Sequence, residues 1–217
     1  MSAPTPVWYF DLISPFVHLQ LELQEALFER LRPVCRPVLF GVILQHQGTL
    51  GPAEIAHKRT FTYRHVLWRA QQAGLTMNFP PEHPFRSLHL QRLCVGLETD
   101  WRTVRECSRF VWQDGRLPGT QEDWRGLAAL RRWDLEQLEQ HLQDPEVKRT
   151  LMANNQEALE HGVFGVPTFR IGSELFWGED SSAMLQGYLD TPGLFEQEAF
   201  RRLEALPVGI VRRPAAE

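Results

Sequence analysis

Residues 7–17 read Val7-Trp8-Tyr9-Phe10-Asp11-Leu12-Ile13-Ser14-Pro15-Phe16-Val17, and the fold follows from the change of character halfway along. Residues 7–11 are aromatic and β-branched, the pattern of a short buried strand. From Pro15 onward Phe16, Leu19, Leu23, Ala26, Leu27 and Leu31 recur at helical spacing. Ser14 stands where a helix N-cap stands and Pro15 at the first helical position, together a start signal. Pro33 ends this helix. Residues 34–42 (VCRPVLFGV) then form a second apolar run, in which Pro37 marks a strand edge or a bulge. Strand, helix and strand in this order are a βαβ opening.

Between residues 45 and 145 the periodicity turns helical. Ile55, Tyr63, Val66, Leu67 and Ala70 mark one helix that ends near Gly74, and residues 78–84 (NFPPEHP) form a loop. Leu88, Leu93 and Leu97 mark a second helix. Trp101, Val104, Cys107 and Val111 mark a third, closed by Asp114-Gly115. Shorter helices fall at 124–130 and 134–142. Asp144-Pro145 starts another, with Val147, Leu151 and Ala158 on its buried face and Gly162 and Gly165 at its end. Residues 166–171 (VPTFRI) then read as a strand, Gly172-Ser173 as a turn and residues 174–177 (ELFW) as the hairpin partner. Helices over 181–189 and 195–206 follow, then an apolar stretch at 208–213 and a frayed end.

The expected organisation is a core of residues 1–44 and 146–217, interrupted by an all-helical subdomain over 45–145. The order of the core, βαβ, then α, then a hairpin opened by Val-Pro, then α, is that of the thioredoxin fold. The fold class is α/β, a thioredoxin-like core with an inserted all-α subdomain.

Bulk properties narrow the function. The 217 residues are 43% apolar and 23% charged with a net charge of −4, an ordinary globular balance. Lys and Arg are dispersed, so attraction to nucleic acid is not expected. No apolar stretch approaches the roughly 20 residues of a membrane span. Residues 1–6 have neither a basic nor an apolar segment, so a signal peptide is not expected. Cys35, Cys94 and Cys107 form no C-x-x-C pair, which fits a reducing cytoplasm and a buried, structural role. No H-E-x-x-H or Cys/His cluster occurs, and no metal is expected. Trp68, Trp101, Trp112, Trp124 and Trp133 are expected to pack in the core and the insertion.

In a thioredoxin fold the first helix begins at the active site, and the proline opening the third strand lies beside it. Pro167 is therefore a candidate cis proline, and the backbone of Val166 a candidate partner for an extended, peptide-like ligand. Ser14-Pro15-Phe16-Val17 falls where thioredoxin-type enzymes carry C-P-x-C. With both sulfur positions substituted, dithiol exchange has neither its attacking nor its resolving thiol. The helix N-terminus remains, with unpaired N–H groups and a partial positive charge that favour an anion such as a thiolate. A serine hydroxyl there can donate a hydrogen bond to a ligand's sulfur and lower the pKa of that thiol.

The strings YFDLISPF, HKRTFTYRHV, GVFGVPTF and FWGEDSSAML resemble, in order and spacing, the 2-hydroxychromene-2-carboxylate isomerases and kappa-class glutathione transferases of the DsbA-like thioredoxin superfamily. The resemblance runs over residues 7–189 and implies a glutathione-dependent isomerase. In that chemistry the glutathione thiolate adds to a planar aromatic or hydroxy-acid substrate, the ring opens, a bond rotates and glutathione is eliminated. The resemblance further implies aromatic-compound catabolism, a homodimer and site residues. Ser14 matches the serine at the glutathione sulfur, and Lys58 a lysine near glutathione and substrate. Val166, before Pro167, matches the backbone partner of the cysteinyl group, Asp180 the holder of the γ-glutamyl group, and Asn154 an asparagine facing the substrate. Arg86 stands where the family commonly has Asn and can clamp a substrate carboxylate. Ser181 stands where many members have Arg. A broad transferase or peroxidase, and a binding protein without catalysis, remain as alternative readings.

Overall fold

The structure is a computed structural model and describes residues 4–191 and 193–210. Strand β1 (Val7–Phe10) is buried at all positions, and its lack of polar alternation follows from covering on both faces. Trp8 and Phe10 stack at 4.6 Å, and Trp8 meets Phe28 edge-on at 4.9 Å. On the opposite face Val7 and Tyr9 pack with Val38, Ile43, Ala158 and Val163.

After β1 the chain enters α1 (Pro15–Leu23) and α2 (Glu25–Leu31). The single helix expected over 16–31 is thus two. Gln24 breaks it at φ −117° and ψ 30°, with its side-chain amide turned to Glu179. Arg32 closes α2 in the left-handed region at φ 44°, and Pro33 leads into β2 (Val34–Pro37), which runs parallel to β1. The apolar run expected to continue to Val42 changes structure instead. Pro37 has no N–H to extend a ladder. Beyond it the Leu39 and Phe40 N–H groups are taken by the side chains of Asn155 and Asp11. The chain turns there into α3 (Phe40–Gln47).

Helices α4 (Ala56–Gln72), α5 (Leu88–Cys94), α6 (Trp101–Trp112), α7 (Gln121–Leu130), α8 (Leu135–Gln143) and α9 (Pro145–Glu160) follow. Asp100, Thr120, Asp134 and Asp144 cap α6 to α9 with their side chains. Trp101 and Trp112 are buried, but Trp68 is 54% exposed, against the expectation of packing. It rides on α4, whose buried positions are Val66 and Ala70, and the ring lies off that face. Cys35, Cys94 and Cys107 are free and buried.

The hairpin β3 (Thr168–Ile171) and β4 (Glu174–Trp177) completes a sheet of order β2-β1-β3-β4, with β3 antiparallel to β1 and Trp8 opposite Phe169. This is the mixed α/β thioredoxin fold, and all four strands lie outside residues 45–145. The chain divides into two compact units, Met1–Ser182 and Ala183–Glu217. The first holds the sheet. The second contains most of α10 (Ser182–Asp190) and all of α11 (Glu198–Glu204), with the Phe195 ring in tilted contact with Tyr188 and Phe200. The helix expected over 195–206 is shorter, because Leu194–Glu196 forms a 3-10 turn. Residues 211–213 of the expected apolar stretch lie outside the described residues. No helix among the described residues is long and apolar enough to cross a membrane.

Candidate active site

Ser14 occupies the N-cap position of α1, yet its side chain makes no cap bond. The hydroxyl instead donates to the Val166 carbonyl at 3.4 Å, and the Val166–Pro167 peptide is cis. Two expected site residues more than 150 positions apart thus meet directly. The Val166 N–H has no hydrogen-bond partner among the described residues, so a backbone donor remains beside the serine.

The loop that presents Ser14 is pinned almost group by group. Asp11 Oδ1 accepts from the Ile13 N–H at 3.0 Å and Asp11 Oδ2 from the Phe40 N–H at 2.9 Å. Gln91 of α5, fully buried, accepts from the Leu12 N–H and donates to the Phe10 and Val38 carbonyls. Trp112 Nε1 of α6 donates to the Leu12 carbonyl at 2.8 Å. His83 Nε2 meets the Ile13 carbonyl at 2.9 Å. Burial raises the Asp11 carboxyl to about 6, against the opposing pull of its N–H donors. Burial also lowers the His83 imidazole below its ordinary range.

The hairpin end forms a second wall. The Gly178 N–H donates to the Pro167 carbonyl at 2.8 Å. Gly178 has φ 88°, and a Cβ there would collide with Asp180 Oδ1; glycine is what lets the turn close. Gln20, buried in α1, donates to the Gly178 carbonyl and the Ser182 hydroxyl and accepts from Trp8 Nε1. Glu179 is 3% exposed and paired at 2.7 Å with Arg69 of α4. Between these anchors Asp180 is exposed, with no ion pair among the described residues.

The remaining expected residues stand differently. Lys58 is exposed in the first turn of α4 and lines a cavity of about 430 Å³ with Pro52, His57, Phe61 and Thr62. Arg86 is exposed in the segment before α5. Asn154 is buried, and its side-chain amide donates to the Pro37 carbonyl at 3.1 Å. The hydrogen bonds tie Ser14, Val166, Pro167 and the 178–180 turn together, but do not tie Lys58, Arg86 or Asn154 to them. A second cavity, about 340 Å³ between α6 and α7, contains none of the expected residues. Sequence reading missed Gln20, Arg69, His83, Gln91 and Trp112 as supports of the site. For Gln20 and Gln91 a faint signal exists, a polar side chain inside an apolar run.

A family model for the DSBA-like thioredoxin domain matches residues 7–190. The chain belongs to the DSBA-like thioredoxin family. Its relatives mark the branch within that family. A 2-hydroxychromene-2-carboxylate isomerase of Pseudomonas putida is 28% identical over 189 residues, 82% of this chain and 91% of the relative. The isomerase of Pseudomonas sp. (strain C18) is 30% identical over 190 residues, covering 82% and 87%. Glutathione s-transferase kappa 2 of Caenorhabditis elegans is 24% identical over 178 residues, covering 76% and 79%. The fold of this DSBA-like protein matches a solved structure of selenomethionine 2-hydroxychromene-2-carboxylate isomerase with a TM-score of 0.75. That match has 22% identity and covers 92% of this chain and 97% of the other. The isomerase and kappa-transferase branch expected from the sequence motifs is therefore the one to which this DSBA-like chain belongs.

Proposed function

We propose that this protein is a glutathione-dependent isomerase acting on a planar aromatic carboxylate of the 2-hydroxychromene-2-carboxylate kind. The observation that carries the reading is the meeting of the Ser14 hydroxyl, at the start of α1, with the Val166 carbonyl before a cis proline. That constellation offers a hydroxyl donor, a helix N-terminus and an unpaired backbone N–H to a thiol held in a peptide-like ligand. It fits glutathione: Val166 would pair with the cysteinyl backbone, and Asp180 with the γ-glutamyl ammonium. When bound, glutathione supplies a thiolate nucleophile that can add to a conjugated carbon and leave again.

The chain's own residues hold and orient. Ser14 would turn its hydroxyl hydrogen from the Val166 carbonyl to the sulfur, and the partial positive charge of α1 favours the thiolate over the thiol. Lys58 and Arg86, exposed and without ion pairs among the described residues, would meet a substrate carboxylate or polarise its carbonyl. The assignment of Asn154 to the substrate side rests on the likeness to the isomerases, its side-chain amide being bonded to the Pro37 carbonyl. The free, buried cysteines accord with a reducing cytoplasm, and a homodimer is the expected assembly.

Calorimetric titration with reduced glutathione tests the reading. The protein should bind, Asp180→Ala should weaken binding by about tenfold, the worth of one charge-assisted contact, and Ser14→Ala should lower turnover of the chromene carboxylate more than affinity. No binding at millimolar glutathione would overturn it. Stable conjugates in place of isomerised product would identify a transferase.

A further inference from the structure

The peptide group just ahead of Ser14 is held from the insertion by one imidazole. His83 Nε2 lies 2.9 Å from the Ile13 carbonyl and His83 Nδ1 lies 2.7 Å from the Tyr63 hydroxyl, which is also 3.0 Å from the carbonyl of His83 itself. A carbonyl can only accept, so Nε2 carries the hydrogen. In the neutral ring Nδ1 is then an acceptor, and the single Tyr63 O–H hydrogen is shared between it and the His83 carbonyl, both of which accept. Burial favours that neutral ring. The ring stands edge-on to Trp112, Phe85 and Tyr63 at 5.3, 6.1 and 5.4 Å. Tyr63 itself packs on Phe79 at 4.9 Å. The titratable group bonded to the imidazole is Tyr63 on α4, and Arg59 of the same helix acts in turn on Tyr63.

We propose that His83, fixed by Tyr63, is a positioning residue of the Ser14 site: its Nε2–H sets the Ile13–Ser14 peptide and, through it, the direction of the serine hydroxyl. Ile13 and Ser14 share that peptide, so a donor on the Ile13 carbonyl holds the plane from which the Ser14 N–H reaches the Asp11 carbonyl at 2.9 Å. The other groups of the loop are held by Asp11, Gln91 and Trp112, none of which reaches the Ile13 carbonyl. Without His83 that carbonyl loses its side-chain donor, and the peptide is held on one edge alone, by the Ser14 N–H bond to the Asp11 carbonyl. The functional consequence rests on the glutathione reading, whereas the positioning is a property of the free protein.

Two readouts keep those apart. In the ligand-free protein, nuclear magnetic resonance should find the Ile13 carbonyl carbon and Ser14 amide nitrogen shifted in His83→Leu. Exchange of the Ser14 amide should be faster by about tenfold, the equivalent of one lost hydrogen bond. His83→Gln, whose amide can donate to the same carbonyl, should restore much of both. Tyr63→Phe should shift the imidazole nitrogens, and it carries the test if His83→Leu does not fold. With glutathione present, the thiolate absorbance should titrate about one pH unit higher in His83→Leu, a tenfold loss of thiolate at a given pH. Unchanged Ile13 and Ser14 signals in a folded His83→Leu protein, or unchanged imidazole nitrogens in Tyr63→Phe, would overturn the proposal. If the unaltered protein binds no glutathione, the functional reading fails, and the ligand-free signals still decide the positioning.

Discussion

Around Ser14 the core and the helical insertion contribute in opposite ways. The core supplies backbone: the Val166 carbonyl and N–H, the cis Val166–Pro167 peptide, and a turn closed by Gly178 on the Pro167 carbonyl. The insertion supplies side chains, of two kinds. Gln91, Trp112, His83 and Arg69 reach inward and are spent on the core's polar groups, whereas Lys58 stands exposed and unpaired among the described residues. Buried polar side chains must find partners and so become scaffolding. Exposed charges keep their hydration and need no partner within the fold. The core wall is thus preformed, by Asp11 and Gln20 of the core together with the inner face of the insertion.

The contrast can be broken most severely at Gln91. Gln91→Leu strands the Leu12 N–H and the Val38 carbonyl, while the Phe10 carbonyl keeps the Val38 N–H, and chemical denaturation should record a loss of about 3–5 kcal/mol. A loss below about 1 kcal/mol would mean that Gln91 does not hold the loop.

A somewhat smaller effect is expected from pH. Burial raises Asp11 from 3.8 to about 6, so the folded state holds that proton more tightly than the unfolded chain. This contribution is fully present below about pH 4 and is lost as the pH rises through about 6. From pH 4 to 7 the protein should lose about 3 kcal/mol relative to Asp11→Asn, measured by denaturation at each pH. His18, lowered by burial from 6.5 to about 4, acts with the opposite sign. Its contribution is present above pH 6.5 and lost as the pH falls toward 4, so only the single variants separate the two.

Arg69→Gln should cost about 2 kcal/mol, because it leaves the nearly buried Glu179 carboxylate unpaired. The double variant with Glu179→Gln should recover most of that loss, and an additive result would remove the salt bridge from the account. The smallest stability effect belongs to Lys58→Ala and Arg86→Ala, within about 0.5 kcal/mol. If their role is in the ligand site, their effect is on turnover.

Much of the fold was legible because its causes are local. Asp144-Pro145 starts α9 through a cap that acts within two residues, and the Gly172-Ser173 turn joins strands that face each other directly. The misreadings have nonlocal causes. Residues 34–42 contain nothing to say that Asn155 and Asp11 will accept from Leu39 and Phe40 and turn an apolar run into α3. The break at Gln24 likewise depends on tertiary contacts. At the site, Ser14 and Pro167 could be read from position within the topology, since the first helix start and the third strand start are fixed places in this fold. The roles of Gln20, Gln91 and His83 could not, because a polar residue in an apolar run has no periodicity that names its partner.

By itself, then, the sequence determined the element order, the serine in place of a thiol, and the Val-Pro opening of the hairpin, all consequences of short-range sterics and hydrophobic period. Only the tertiary structure decided that the Ser14 hydroxyl turns away from its own helix to a carbonyl 152 residues distant, and that an imidazole from the insertion holds the peptide beside it. Such bonds form when packing brings distant groups together and removes water from both, so their partners are set by the folded core and not by neighbours in the chain.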